Sequence, residues 1–504
     1  MKKIFLISTI VLGLTATSCD SYLDINQNPN SPQEQDMTAS VLMPAAEMNL
    51  AATYGDLLRI PAGYFTQHYA QDFGTSNYLD YSRFEMSATR SSTAYAQLMS
   101  RTLKSLESIR LLSKDREPGT YLAATTLRAF SFQALVDAYG EVPFTEAFAG
   151  LANQSPKYDK GEDIYAALVA EIDEALAAVS EGDKVATNFL FPDEDATPWI
   201  QFANGVKLKL LMRESGVKDV RSQLSALIEE GNFPQEDVAY AGCWTNEIGQ
   251  ANPFYQEEFA SYFGSTQVNI CANVAIVGTM LQTDANGDVV YQDGRLAKYF
   301  SQGSSGYTGG ISGSNFSTSS SFKAAYWCRP VASYDMPVYL LTVSEIEFFL
   351  SEFYAQQNNE AQAAAHYEAA VEASFNTVGA AGAAETIAKY PYDQANYKQV
   401  IGIAKWVALA GVNNYESWCE LRRLKYPAFG TVKGDDMYNQ LSDNSYKPEL
   451  YQPGTLYTPI KVFGNVGENK VLARWPYPSS SVNSNGNAPQ FANSDYTKPV
   501  FWAN

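Results

Sequence analysis

Histidine is scarce in this chain, and the motifs that usually accompany catalysis are absent. Only His68 and His366 occur among 504 residues, and no HExxH, GxSxG or paired CxxC motif is present. Because most hydrolytic mechanisms leave a recognisable group of residues, the sequence predicts a protein that is not an enzyme and uses no cofactor. A helical glycoside hydrolase stays open as an alternative, since 55 acidic residues offer many carboxylate pairs whose separation is invisible in sequence.

Basic residues are also in deficit. The chain has 35 Lys and Arg against 55 Asp and Glu, which gives a formal net charge of −20. Binding to a phosphate backbone needs clustered Lys and Arg side chains that release counterions. The composition therefore argues against nucleic acid as a partner.

Cysteine is rare, with five residues in the whole chain. Four of them, Cys243, Cys271, Cys328 and Cys419, lie far from the N-terminus, and their spacing is not that of metal ligands. Four cysteines allow three disulfide connectivities. A chain this long can build a large core without disulfides, so bridges and buried free thiols both remain open.

Long hydrophobic runs are missing except at the N-terminus. Lys2 and Lys3 precede the apolar run 4–14, and small residues lead from there to Cys19. Eleven apolar residues are too few to span a bilayer, which takes about 20, so the pattern predicts a signal peptide. Cleavage before Cys19 would leave it lipidated, although an ordinary signal peptide with an incidental cysteine is the alternative. The expected boundaries are a signal peptide over 1–18 and a lipid anchor with a polar tether over 19–36.

Residues 345–375 contain the clearest helical signal. Ile346, Phe349 and Phe353 recur at helical spacing, and a second helical run follows the break at 357–359. The second run presents mostly small residues, which let two helices approach closely. Large and small residues alternate here as in a degenerate tetratricopeptide unit, which needs neighbouring helix pairs to bury its faces.

The pattern along the chain predicts a mainly α fold with few short strands. We expect one domain over 37–504, built from a tetratricopeptide-like scaffold of about four helix pairs and a loop-rich ligand-binding lobe. The expected parts are a helical scaffold over 37–230 and 336–427, an irregular lobe over 231–335 and a loop-rich C-terminal segment over 428–504.

Two irregular segments invite a functional interpretation. Residues 64–85 mix aromatic and amide side chains without a sustained period, which favours a loop-rich surface. Residues 284–288 resemble the start of a calcium loop, but Gly287 stands at loop position 4 and Arg295 at position 12, where glycine at 6 and glutamate at 12 are required. An Asn-Gly hairpin turn is the better interpretation.

Aromatic side chains stand beside amides and charges in the irregular segments, which is how a neutral polyol can be held. An exposed ring offers a flat apolar face to a sugar, and neighbouring polar groups satisfy the hydroxyls. The alternative for each ring is a place in the core. The predicted ligand-binding residues are Tyr64, Gln67, Asn77, Tyr78, Tyr81, Trp244, Asn246, Tyr262, Tyr326, Trp327 and Arg329.

Several segments, in order along nearly the whole chain, resemble one known family. Residues 127–148 (LRAFSFQALVDAYGEVPFTEAF) resemble an RAxxxxxLxxxYGxVP pattern, and residues 293–300 (DGRLAKYF) resemble an Asp-Pro-Arg segment with Gly294 in place of proline. Residues 405–427 and 474–485 resemble its Trp and Arg-Arg segment and its Arg-x-Pro-Tyr-Pro segment. Together they are similar to the SusD-like branch of the SusD/RagB family of Bacteroidetes nutrient-binding lipoproteins.

This resemblance implies a non-catalytic lipoprotein on the outer face of the outer membrane. It implies four tetratricopeptide-like helix pairs docked on a SusC-like TonB-dependent transporter, to which the protein delivers captured oligosaccharide or peptide. The matched motifs are structural and carry over no ligand-contact residues. A protein that only holds an outer-membrane complex together, without binding a ligand, remains a third possibility.

Overall fold

The structure is a computed structural model, and it describes residues 37–72, 75–260, 269–314, 326–438 and 445–504. Helices dominate these ranges, as the sequence predicted. The α-helices are α1 Ala39–Ala52, α2 Arg59–Phe65, α3 Leu79–Ser82, α4 Ala88–Ala96, α5 Lys104–Ser113, α6 Pro118–Tyr139, α7 Gly161–Ala178, α8 Thr197–Glu214, α9 Arg221–Glu230, α10 Pro253–Glu258, α11 Val274–Met280, α12 Leu296–Tyr299, α13 Val343–Gln356, α14 Glu360–Thr377, α15 Ala383–Lys389, α16 Tyr397–Leu409, α17 Asn414–Leu424, α18 Gly434–Met437 and α19 Ser479–Ser484. Two π-helical turns, Thr53–Leu58 and Gln97–Leu103, join α1 to α2 and α4 to α5.

Short strands form two-stranded antiparallel sheets. The strands are β1 Tyr69–Gln71, β2 Val238–Tyr240, β3 Ile270–Ala272, β4 Leu281–Thr283, β5 Val289–Gln292, β6 Phe300–Ser301, β7 Arg329–Pro330 and β8 Val338–Leu341. The pairs are β1 with β3, β2 with β8, β4 with β5, and β6 with β7. Two of these pairings, β1 with β3 and β2 with β8, join segments about 100 or more residues apart and so connect the irregular region to strands beside α2 and α13.

Consecutive helices pack against each other as pairs in the described residues, namely α5 with α6, α7 with α8, α13 with α14, and α16 with α17. In the third pair the Ser344 and Ser351 hydroxyls donate to the carbonyls of Ala370 and Ala363, both at 2.8 Å. Small side chains let the backbones approach closely enough for these bonds. The tetratricopeptide-like pairing predicted for residues 345–375 is therefore confirmed.

Helix α6 lies at the centre of the scaffold, with every residue after Pro118 buried. The helix ends at Gly140, whose φ of +88° suits glycine. A Cβ atom at this position would also lie 3.0 Å from the Arg474 guanidinium. The YGxVP-like segment is thus a helix end packed against the C-terminal part of the chain.

A network of buried ions joins four helices of the scaffold. Arg213 on α8 donates to Glu416 at 2.7 Å and to Glu420 at 2.6 Å, both on α17. Lys405 on α16 donates to Glu420 at 2.9 Å, and Arg423 joins Glu420 to α13. Burial alone would raise the pKa of Glu420, but Arg423, Lys405 and Arg213 hold that pKa well below its usual range.

The prediction of a loop-rich surface over 64–85 is wrong for residues 64–72, because all of these residues are buried. Their polar groups are satisfied by distant backbone. Gln67 Nε2 donates to the Tyr457 carbonyl at 2.6 Å, and a ring nitrogen of His68 lies 3.0 Å from the Trp406 carbonyl. Burial lowers the pKa of His68 to about 3, so this histidine is a neutral part of the core.

The segment 284–288 forms the predicted hairpin turn between β4 and β5. The Asp284 carboxylate accepts hydrogen bonds from the N–H groups of Asn286 and Asp288 at 2.8 and 3.0 Å. Gly287 adopts a φ of +89°. An Asx turn with a left-handed glycine explains the local sequence without a bound cation.

Cys243, Cys271, Cys328 and Cys419 are free thiols. Of the two possibilities that the sequence left open, the structure thus has free thiols rather than bridges. Burial raises the pKa of Cys419 to about 12, which keeps this thiol protonated at neutral pH.

No helix in the described ranges is long and apolar enough to cross a membrane. Within the same ranges, no group of three or more His, Cys, Asp or Glu side chains is arranged to hold a metal ion.

We predict that Arg213→Met lowers the free energy of unfolding by about 3–5 kcal/mol, because it leaves buried Glu416 and Glu420 without their shared cation. Lys207→Met on the same helix is the matched control, since Lys207 pairs with the half-exposed Asp173. We expect the control to cost less than about 1 kcal/mol. Urea denaturation measures both, and equal losses would contradict the role assigned to the network.

The buried carboxyl of Glu47 should make the free energy of unfolding of the protein depend on pH. This carboxyl accepts hydrogen bonds from the N–H groups of Phe189 and Leu190 at 2.6 and 3.4 Å, and burial raises its pKa to about 8. The folded protein therefore holds this proton more tightly than the unfolded chain, and the associated stability is lost as pH rises toward about 8. We expect Glu47→Gln to stabilise the protein by about 1–3 kcal/mol above that pH and by much less near pH 5.

Thermal denaturation at both pH values measures this difference. The exposed Glu229→Gln serves as the control for a change of net charge. A stability gain of equal size at both pH values for Glu47→Gln would be inconsistent with a buried, protonated carboxyl.

Candidate ligand-binding site

Two groups of the predicted ligand-binding residues, those within 64–81 and those within 326–329, meet at the β1–β3 sheet. Tyr69 pairs with Ala272 in the strand register, and the Ala272 N–H donates to the Cys328 carbonyl at 2.8 Å. Arg329 Nε then donates to the Asp72 carboxylate at 2.8 Å. The segments around Tyr78 and around Tyr326 are therefore held together by β3, which neither segment contains.

Three tyrosines form a cluster beside this sheet. The Tyr78 and Tyr81 rings stack with centroids 5.6 Å apart and planes 12° apart, and Tyr64 lies 5.9 Å from Tyr78. The Arg90 guanidinium stands 5.9 and 5.2 Å from the Tyr78 and Tyr81 ring centroids, and its Nε donates to Asp80 at 3.1 Å. The cation is thus attracted by two aromatic faces and neutralised by one carboxylate.

A chain of polar groups fixes the backbone next to the cluster. Glu258 at the end of α10 accepts from Asn269, whose N–H lies 3.1 Å away, and from the Tyr78 hydroxyl. The Thr75 hydroxyl donates to the Asn269 side-chain oxygen at 2.6 Å and accepts from the Asn77 N–H at 3.3 Å. Burial raises the pKa of Glu258. These bonds determine where Asn77 stands at the surface.

A second aromatic group lies along residues 326–330. The Tyr326 and Trp327 rings meet edge to face at 4.5 Å, and Trp327 meets Tyr446 at 4.9 Å. The Tyr446 hydroxyl donates to the Gly309 carbonyl at 2.6 Å, and the Thr308 hydroxyl donates to the Tyr326 carbonyl at 3.2 Å. The half-buried Tyr326 is therefore supported by a fully buried Trp327.

The structure divides the predicted site residues by burial. Five keep accessible surface: Asn77, Trp244, Asn246, Tyr326 and Arg329. The expectation that Tyr64, Gln67 and Trp327 face a ligand is corrected, because their side chains are buried in the core. Tyr78 and Tyr81 keep only 5% and 6% of their surface, so they lie beneath the surface that Asn77 and Arg90 expose. Tyr262 lies outside the described residues.

Trp244 and Asn246 occupy a turn that follows β2. The Trp244 indole N–H donates to the Tyr240 carbonyl at 3.1 Å, and its ring is half-buried. The turn itself is closed by the Thr245 N–H, which donates to the Gln250 carbonyl at 2.9 Å. This predicted segment is therefore anchored to the β2–β8 sheet rather than to the β1–β3 sheet.

Arg329 and Arg90 are each paired with a carboxylate, Asp72 and Asp80 respectively. Further carboxyl groups, those of Asp56, Glu257 and Glu258, act on Tyr78 from nearby. An anion would have to compete with these carboxylates, whereas hydroxyls can add hydrogen bonds to half-exposed Arg329 and exposed Asn77. The arrangement is suited to a neutral polar ligand.

Several residues that build the site were missed by the sequence interpretation, namely Asp72, Arg90, Glu258, Asn269 and Tyr446. The pairing of Asp72 with Arg329 and of Glu258 with Asn269 depends on contacts between segments far apart in sequence. Arg90 gave a weak local signal, because it follows Asp80 and two tyrosines within a short stretch. No periodicity in the sequence marks the others.

The Asp293-Gly294-Arg295 segment is structural. Arg295 donates to the Asp293 carboxylate through Nη2 at 2.6 Å and Nε at 2.9 Å, and both side chains are buried. A Cβ atom on Gly294 would lie 1.8 Å from the Ala381 carbonyl oxygen. The proline of the resembling pattern carries such an atom, so the chain between α14 and α15 explains why glycine stands here.

Comparison with known proteins identifies relatives of the whole molecule. A family model for SusD-like proteins, described as starch-binding and associating with the outer membrane, matches residues 29–447. A SusD homolog from Bacteroides uniformis has 20% sequence identity and a TM-score of 0.71, over 93% of this chain and 100% of the other. A chitin-binding SusD homolog from Flavobacterium johnsoniae has 18% identity and a TM-score of 0.67, over 91% and 98%. A SusD homolog from Bacteroides thetaiotaomicron has 18% identity and a TM-score of 0.67, over 93% and 99%. No curated protein matches the chain.

We predict that Asn269→Ala loosens the backbone at 75–77 without unfolding the scaffold. The substitution removes the acceptor of the Thr75 hydroxyl and a partner of Glu258, at a local cost of about 1–3 kcal/mol. Hydrogen exchange followed by mass spectrometry should show faster exchange in peptides covering 75–82. Asn49→Ala, which removes an exposed amide from α1, is the control. Unchanged exchange at 75–82 in Asn269→Ala would show that these bonds do not order the site.

Proposed function

This chain belongs to the SusD-like family, and from that premise we propose that it is a cell-surface lipoprotein that captures a neutral oligosaccharide. In this proposal it delivers the captured glycan to a SusC-like TonB-dependent outer-membrane transporter. It is a binding protein and not an enzyme, in keeping with its family. Its family is associated with the outer membrane.

The observation that carries the proposal is a surface with hydrogen-bonding groups whose exposed guanidinium is already paired with a carboxylate. Asn77, Tyr326 and Arg329 keep accessible surface around the β1–β3 sheet. The guanidinium of Arg329 is already neutralised by Asp72, so it can donate to a hydroxyl without demanding an anion. A half-exposed Tyr326 ring can meet the C–H face of a sugar. A peptide would place charged or apolar side chains here, and these groups would make fewer favourable contacts with them than with hydroxyls.

The proposed site consists of Asn77, Tyr326 and Arg329. Trp244 and Asn246, on the turn that follows β2, stay in the proposal as predicted contacts. Tyr78, Tyr81 and Trp327 support the site from below. Tyr262 stays in the proposal as a predicted contact, although it lies outside the described residues. Binding by stacking and neutral hydrogen bonds suits a chain of −20 net charge, which would repel acidic glycans over long distances.

The lipid anchor is part of the proposal as well. Cys19 follows a basic, apolar and small-residue sequence of the kind that directs export and acylation. Residues 1–36 lie outside the described residues, so the support here is the sequence pattern and the outer-membrane association of the family. An acyl chain on Cys19 would keep the helical body beside the membrane without a spanning segment.

Calorimetric titration with maltoheptaose and chitohexaose tests the proposal. We expect one of these neutral glycans to bind, and Asn77→Ala and Arg329→Gln each to weaken binding about 5- to 30-fold, as expected for loss of about 1–2 kcal/mol. Asn286→Ala, on the exposed β4–β5 turn, is the matched amide control and should leave the affinity unchanged.

Three results would contradict the proposal in different ways. Shortened glycans after incubation would favour the hydrolase alternative. Unchanged affinity in both site variants would move the site elsewhere on the protein. A transporter that co-purifies with the protein, together with no binding to any neutral glycan or peptide, would favour a purely structural role.

A further inference from the structure

A cavity of about 580 Å³ opens between the β4–β5 hairpin and the helices α14, α15 and α16. The loop at Pro453 and Gly454 closes one side. This volume falls in the range of small-molecule sites, which are typically about 300–1,000 Å³. The cavity shares no residue with the site proposed around Asn77.

Two tyrosines stand perpendicular to each other on the cavity wall. The Tyr291 and Tyr390 ring centroids are 5.5 Å apart, with planes at 88°. The Tyr390 hydroxyl accepts from Gln282 Nε2 at 2.5 Å, and the Tyr291 hydroxyl lies 3.1 Å from the Thr386 hydroxyl. Both rings are half-buried. Their hydroxyls are thus held by the protein, while part of each ring remains accessible.

The helices contribute an apolar floor. The lining residues from α14 and α16 include Val371, Val400, Ile403, Ala404 and Val407. Val371 and Val407 are buried, while Val400, Ile403 and Ala404 are half-buried. Burial of this apolar surface against an apolar face of a ligand would favour binding.

Polar groups surround the opening. Gln399 and Asn396 are exposed lining residues, and the Asn396 amide donates to Asp393 at 2.8 Å. This hydrogen bond lowers the pKa of Asp393, so the carboxylate is ionised at neutral pH. The Lys389 ammonium lies 5.7 Å from the Tyr291 ring centroid and supplies a positive charge, opposite in sign to that of Asp393.

The deeper charges are also balanced. The Arg295 guanidinium is paired with Asp293 and donates to the Ser374 hydroxyl at 2.6 Å. The charged side chains in the lining are therefore two cations, Lys389 and Arg295, and two anions, Asp293 and Asp393. Such a lining gives no preference for a ligand of either sign, but it offers amides and hydroxyls beside aromatic and aliphatic surface.

We propose that this cavity is a second ligand site, which takes a neutral saccharide of one or two sugar rings. A sugar ring has an apolar C–H face and a rim of hydroxyls, which matches the tyrosines and aliphatic floor on one side and the amides on the other. A purely apolar ligand would remove water from Gln399 and from the Asn396 side-chain oxygen without replacing its hydrogen bonds. The inference holds whether or not the protein delivers glycans to a transporter.

The test separates the two sites by mutation. Maltose, cellobiose and N,N′-diacetylchitobiose are titrated into a protein that carries Asn77→Ala and Arg329→Gln, with binding followed by saturation-transfer NMR. We expect at least one disaccharide still to bind this protein. Adding Tyr390→Ala should weaken that binding about 10-fold or more, because it removes one ring of the wall. Tyr390→Phe keeps the ring and should change the affinity less than about 3-fold.

Two further variants distinguish a change in the cavity from a general loss of folded protein. Gln399→Trp places bulk at the exposed opening and should weaken binding as Tyr390→Ala does. Tyr354→Ala removes a half-buried tyrosine that stacks on His366 outside the cavity, and it should leave the affinity unchanged. Thermal denaturation confirms that each variant is folded.

The inference would be overturned by several results. No binding of any of the three disaccharides to the Asn77→Ala, Arg329→Gln protein would show that there is no second saccharide site. If folded Tyr390→Ala and Gln399→Trp variants bind the disaccharide as tightly as the Asn77→Ala, Arg329→Gln protein does, the residual binding lies outside this cavity. Displacement of the disaccharide by the tripeptide Ala-Leu-Ala at equal concentration would assign the cavity to peptides, and equal binding of digalacturonate would contradict the preference for a neutral ligand.

Discussion

Charge buried in the scaffold is the constraint on which the arrangement of the helices depends. Arg213, Lys405 and Arg423 share Glu416, Glu420 and Glu352, and these side chains come from α8, α13, α16 and α17. Each ion has lost its water and is tolerated only where its partners stand within hydrogen-bond distance. Sliding one helix against another would leave a buried charge unpaired. The network therefore fixes the relative positions of helices from both halves of the chain. Apolar packing alone would fix these positions less strictly.

The irregular segments depend on this fixed body for their shape. Tyr69 and Arg59 at the start of the site region reach α17 and the turn before it, since the Tyr69 hydroxyl donates to Asn414 at 3.2 Å and Arg59 donates to the Gly411 carbonyl at 2.7 Å. From β1, hydrogen bonds continue through β3 to Arg329 and Asp72. The described part of this surface is thereby held in one geometry, so binding does not require it to be ordered. The cavity beside Tyr390 is built differently, directly on the helices.

Local patterns in the sequence predicted the elements that local physics determines. The α13–α14 pair followed from helical spacing with small residues on one face, and the turn at Asn286 and Gly287 followed from their backbone preferences. Tyr64 and Gln67 were placed at the surface because no period marked them as buried. Gln67 can be buried only because the Tyr457 backbone, almost four hundred residues later, supplies both a donor and an acceptor. Contacts of this kind have no local signature, and for the same reason the cavity, whose walls come from three separate segments, could not be predicted.

Glycan capture by loops on a rigid helical body is the central claim. It is tested most directly by determining the structure of the protein crystallised with a saturating neutral oligosaccharide such as maltoheptaose. Our account predicts sugar density in contact with Asn77, Tyr326 and Arg329, with the scaffold helices unmoved. Sugar density elsewhere on the protein, with these three side chains still in contact with solvent alone, would contradict it.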